Sequence, residues 1–200
     1  MDVVVIDVET ANPDLASICQ VGIAVFANGL FRESWSSLVN PDDYFDSYNV
    51  AIHGIDERMV ASAPRWAEVH ERMRSSYSNQ ILASHTPFDR TAVQRACQRA
   101  TTSPFECRWL DTARVVRRTW PAFSKSGYGL ANVASHLGIS FKHHDAEEDA
   151  RAAGEILLRA IQETGSNAHD WCTLSLRSNS PSSASEAREA NPDGLFESPR

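Results

Sequence analysis

The run VVVIDVET, residues 3 to 10, limits what this chain can become more than any other stretch. Val3, Val4, Val5 and Ile6 form a near-continuous β-branched segment, which suits a strand covered on both faces in the middle of a sheet. Asp7 and Glu9 follow at its carboxyl end. Residues two apart in a strand point to the same side, so these two carboxylates converge while Val8 points away. Anions held that close repel each other, and a divalent cation is the simplest thing that makes the arrangement favourable.

The rest of the chain supplies the sheet and its cover. ICQVGIAVF (18 to 26) and FRESWSSLV (31 to 39) read as a hairpin turning through Asn28 and Gly29. A polar loop is predicted from Asn40 to Pro64, and helical spacing returns in WAEVHERMRSSY, 66 to 77. QILASH (80 to 85) is a short strand, followed by a helix over 86 to 100 with Thr86 as its cap and Pro87 at its first position. CRWLDT (107 to 112) predicts another strand, running into a helix that Pro121 ends, and GLANVASHLG (129 to 138) a helix that Gly138 stops. The final helix lies in 143 to 162, with Asp145 and Glu148 at capping-box spacing. Beyond Thr164 the composition turns to Ser, Asn, Pro and Glu, predicting a disordered polar tail over 164–200 after one domain over 1–163. An early hairpin and later β-helix alternation make the fold class α/β with a mixed sheet.

The net charge of −7 argues against a nucleic-acid partner until its distribution is read. Residues 1 to 89 carry 13 acidic and 5 basic side chains, whereas residues 90 to 142 carry 2 acidic and 9 basic. A basic middle beside an acidic first half fits a polyanion held near a metal-loaded acidic site. No apolar run of about 18 residues is present, and no basic region precedes the first apolar stretch, so no membrane segment or secretion signal is expected. The four scattered cysteines form no CxxC pair and read as reduced thiols of a cytoplasmic protein.

Three motifs in order now carry a resemblance: DxE after a strand, SHTPFD at 84 to 89, and HDAEED at 144 to 149. The chain resembles the DEDDh exonucleases, in the group around the proofreading epsilon subunit of bacterial DNA polymerase III, from about residue 2 to about 162. That resemblance implies a ribonuclease-H-like, five-stranded mixed sheet flanked by helices, and two-metal 3′-to-5′ hydrolysis. It implies that Asp7, Glu9 and Asp149 ligate a first Mg²⁺ or Mn²⁺, that Asp7 bridges to a second, and that Asp89 holds the second largely through water. It implies that His144 takes the proton from the attacking water, with His143 a flanking or packing residue. Thr10, His85 and Phe88 would meet the terminal nucleotide. The chain departs from the family's usual ETT and HN with Thr10-Ala11 and His85-Thr86. The expected substrate is a single-stranded or 3′-end nucleic acid, DNA in preference to RNA, with a polymerase or a sliding clamp as further partners. The competing readings are an exoribonuclease and a non-catalytic nucleic-acid- or polymerase-binding module. Leu195 and Phe196, an apolar pair in the polar tail, faintly resemble clamp-docking motifs.

Overall fold

The computed structural model describes residues 2 to 177. The first acid-tipped run forms β1 (Val3–Thr10), the middle strand of a five-stranded mixed sheet. β2 (Ile18–Ala27) pairs with it antiparallel and β3 (Leu30–Leu38) pairs antiparallel with β2. Asn28 and Gly29 link them, both with positive φ (55° and 74°), the backbone of a type I′ turn. On the other side β4 (Ile81–Ser84) and β5 (Arg108–Asp111) join parallel, giving the order β3-β2-β1-β4-β5.

β1 feeds two cores, as its β-branched run predicts. Val4, Ile6 and Val8 pack on one face, with α3 (Trp66–Tyr77) and α4 (Phe88–Arg99). Val3 and Val5 pack on the other, with α5 (Thr112–Thr119), α6 (Leu130–Leu137) and α7 (Ala146–Thr164). Asp7 and Glu9 share the parity of Val3 and Val5, so they emerge on the α7 side.

Four expectations are corrected. The polar loop over 40 to 64 contains two short helices, α1 (Ser47–His53) and α2 (Glu57–Val60). Asp46 caps α1 by accepting from Tyr48 N–H and left-handed Gly54 ends it, while Asp56 caps α2. α1 buries no residue, so it leaves no apolar period to read. α4 starts at Phe88 rather than at 86, because Thr86 sits at φ 82°, outside any helix. The Asp145–Glu148 capping box does not form; Asp145 flanks α7 without a side-chain cap and meets Lys142 instead. Finally, the chain after Thr164 is not all tail: α8 (Ala168–Arg177) lies against β5 and buries Ala168, Trp171 and Cys172 in the α7-side core. The Leu195-Phe196 pair lies outside the described residues. No described helix is long and apolar enough to cross a membrane.

Candidate active site

The carboxyl end of β1 opens into a cavity of about 570 Å³. One oxygen each from Asp7, Glu9 and Asp149 lie within 4.8 Å of one another there. The third acid comes from α7, and a glycine allows it. Gly22 faces Asp7 across the β1–β2 ladder, and a Cβ at Gly22 would stand 2.0 Å from the carbonyl carbon and oxygen of Ala146. The bare backbone thus lets the start of α7 rest on β2. Gln20 accepts from Ala146 N–H, and Ser34 and Ser36 of β3 donate to the Glu147 carboxylate, fixing the helix from below. Further along, Gly154 lies against the ring of Phe26 with no room for a side chain.

Asp89 reaches the cluster from the other face. β4 ends at Ser84, and the first turn of α4 presents the Asp89 carboxylate to Val8 N–H at 3.0 Å. Asp89 is buried and stands beside the converging triplet rather than in it. Both histidines before α7 join the site. His143 Nδ1 is 3.0 Å from Asp149 Oδ1, and His144 Nδ1 is 3.7 Å from Glu9 Oε1, with the two rings stacked at 3.9 Å. His144 takes the left-handed conformation, φ 64°, and its backbone N–H donates to Asp149 Oδ2. Sequence reasoning set His143 aside as a flanking residue; the structure puts it in direct hold of a carboxylate.

Thr10, His85 and Phe88 all line this cavity. Phe88 is 41% exposed. His85 is buried with both nitrogens engaged: Nε2 donates to the Tyr128 carbonyl at 2.7 Å, and Nδ1 accepts from the Thr112 hydroxyl at 2.8 Å. Only its ring carbons are left to meet a ligand. Asn49 and His53, one helical turn apart on α1, both donate to the Thr10 carbonyl. Neither was found from the sequence, although Asp46 and Gly54 stand at the spacing of a helix start and stop. Gly22 was also missed, and its signal was an isolated glycine inside a strand pattern.

The sequence profile of the RNase_T exonuclease family matches residues 4–157. The chain belongs to that family. This exonuclease domain is 31% identical over 150 residues to the DNA polymerase III subunit epsilon-like protein of Rhodobacter capsulatus, covering 72% of this chain and 21% of that protein. The chain spans 12% to 21% of the curated relatives compared with it. Among solved structures, exonuclease X in complex with 5′-overhanging duplex DNA superposes with a TM-score of 0.69 at 21% identity, covering 86% of this chain and 98% of that one. The nuclease domain of 3′hExo, a DEDDh family member bound to rAMP, gives 0.64 at 17% identity, with 82% and 92% covered. The ribonuclease-H-like fold is therefore established.

Electrostatics mark the acidic end of the exonuclease domain as built for positive charge. Burial, then Asp89, Asp149 and Glu9, hold the Asp7 carboxyl well above its ordinary range. Burial, aided by Asp149 and Asp145, lifts Glu9 to about 7. Burial lifts Asp89 to about 8 against the bond from Val8 N–H. Asp149 is raised by burial as well, opposed by His143. His144 moves the other way, lowered by burial and by its neighbour His143. Four carboxyls, Asp89 and Asp149 buried and Asp7 and Glu9 half-buried, resist ionisation and become favourable as anions only beside cations. All the converging atoms of the Asp7, Glu9 and Asp149 set are oxygens, the donors that hard divalent ions take.

Proposed function

We propose that the chain is a 3′-to-5′ exonuclease that hydrolyses the terminal phosphodiester at DNA 3′ ends and releases nucleoside 5′-monophosphates, in proofreading or repair. The observation that carries this reading is the convergence of Asp7, Glu9 and Asp149 within one cavity of an exonuclease-family fold. In this reading Asp7, Glu9 and Asp149 would hold one Mg²⁺ or Mn²⁺, and Asp89, beside Asp7, would help to hold a second. Such a pair, when bound, supplies the positive charge that stabilises the attacking and leaving oxygens of an in-line displacement.

The protein's own groups do the rest. His144 is held below the ordinary imidazole range by burial and by His143, which favours the neutral ring that can accept a proton. It takes the proton of the attacking water as the new P–O bond forms and the bond to the 3′ oxygen breaks; that oxygen then gains a proton from solvent. Phe88 offers its exposed ring to the terminal base, a contact that every base can make. Thr10 is pinned by Asn49 and His53 and gives that nucleotide a fixed wall.

The test is incubation of the full chain with 5′-labelled single-stranded DNA and the matched RNA, with Mg²⁺, with Mn²⁺ and with EDTA. The expected result is a ladder shortening by single nucleotides on DNA, abolished by EDTA. A ladder on RNA alone would make the substrate RNA. Retention of both strands uncut, with binding intact, would make the chain a binding module.

A further inference from the structure

A second cavity adjoins the first. It is a recess of about 450 Å³ that runs along β5 and past the carboxyl end of β4, and Arg90, Arg108 and Arg114 all line it. Thr86 lines both cavities, so only the ridge of Thr86, Pro87 and Phe88 separates the arginines from the acids. The placement follows from α4. Successive helical residues lie about 100° apart, so Asp89 turns inward to Val8 while Arg90, the next residue, turns out into the recess.

The recess is cationic. Arg90 and Arg108 are exposed. Arg108 bonds to Nδ1 of His169, which uses one donor and leaves the guanidinium charge in place. Asp111 is the single carboxylate of the lining among the described residues, and its Oδ1 is committed to the N–H groups of Thr86, Ala113 and Arg114. Two other arginines of the basic stretch have partners away from the recess. Arg99 pairs with Asp14 and Asp43, and Arg117 lies over the Tyr128 ring.

We propose that this recess binds backbone phosphates of the nucleic acid beyond the nucleotide being removed. Guanidinium groups suit that task, since each offers paired donors to a phosphate. The acidic cavity repels every phosphate except those its cations neutralise, so a strand needs a cationic hold outside it, and the recess is one ridge away. The inference rests on the exonuclease reading. Two sources of the same phosphate chemistry fit: the scissile strand itself as it crosses Phe88, and the opposite strand of a duplex.

The test uses the Arg90→Gln/Arg108→Gln variant of the full chain and three substrates. The p-nitrophenyl ester of thymidine 5′-monophosphate fills only the acidic cavity; a single-stranded oligothymidylate and a duplex with a short 3′ overhang reach beyond it. The ester should be hydrolysed within about twofold of wild type. KM for the nucleic acids should rise about tenfold, and the slope of log affinity against log salt should fall by about 1 for each lost contact. A loss on the single strand assigns the recess to the scissile strand, and a loss on the duplex alone assigns it to the opposite strand. Unchanged KM on both overturns the proposal, and so does an equal loss on the ester, which would trace the effect to Asp89. If wild type cuts none of the three, the exonuclease reading fails. Fluorescence anisotropy of the labelled strand then still decides the recess, by the same weakening and the same change in salt slope.

Discussion

Two helices bring to β1 the acids that it does not carry itself, and they do so by different means. α4 follows β4 after three residues, and the carboxylate of Asp89 is held by a backbone donor of the sheet, Val8 N–H. α7 arrives from far along the chain and is located by backbone pressed on Gly22, while Asp149 is held by the His144 N–H and the His143 ring. The position of Asp89 is thus a property of the sheet. That of Asp149 depends on a glycine and on a pair of histidines, and it is the more breakable of the two.

The harshest break is Gly22→Ala. Its Cβ would meet Ala146 backbone, which cannot rotate away, so stability should fall by about 3 kcal/mol and turnover should drop to background. For Gly154→Ala the three nearest atoms all belong to the Phe26 ring, so it should cost about 1–3 kcal/mol with turnover retained. Urea denaturation of both variants measures the pair. A Gly22→Ala chain that unfolds like wild type would mean that α7 is placed by something else.

Next come the histidines. His144→Ala should lower kcat by about two to four orders of magnitude with saturating metal, through lost proton transfer. His143→Ala should instead raise the Mg²⁺ concentration needed for half-maximal rate about tenfold, because it releases the Asp149 carboxylate from its hold, and leave kcat at saturation close to wild type. Steady-state kinetics across a Mg²⁺ series separates the two. Exchanged phenotypes would make His143 the proton acceptor.

The mildest effect is on stability without metal. Asp7, Glu9 and Asp89 have folded pKa values above their ordinary ones, so the folded chain keeps protons that the unfolded chain has lost. Stability therefore falls as pH rises from the ordinary carboxylate range to about 8. In EDTA, Tm should fall from pH 5 to pH 8, Mg²⁺ should restore it at the upper end, and Asp7→Asn should melt about 2–6 °C higher than wild type at pH 7.5. A Tm that rises across that range in EDTA would show the acids to be paired with cationic side chains.

The strands and the longer helices were legible because each carries a repeat of apolar residues. VVVI named the central strand, and Trp66–Tyr77 is found where its helical spacing put it. The three motifs also led to the acids and His144 that meet in the cavity. What stayed hidden depends on spatial neighbours rather than on spacing. Nothing in the sequence says that His143 faces Asp149, or that His85 spends both nitrogens on Thr112 and Tyr128. α1 buries nothing, so Asn49 and His53 looked like loop. α8 was lost to the polar composition around it, although its buried Ala168, Trp171 and Cys172 keep one face apolar.

That last helix bears on how short the chain can be made. Every acid of the cavity lies before residue 150, so a fragment ending at Thr164 would keep all of them. It would also lose Trp171 and Cys172 from the core and lay bare the flank of β5, the outermost strand on that side. Uncovered edge strands recruit strands from other molecules. The fragment would fail in the test tube by clumping, with its chemistry intact, and a low yield of active protein would then be mistaken for a weak enzyme.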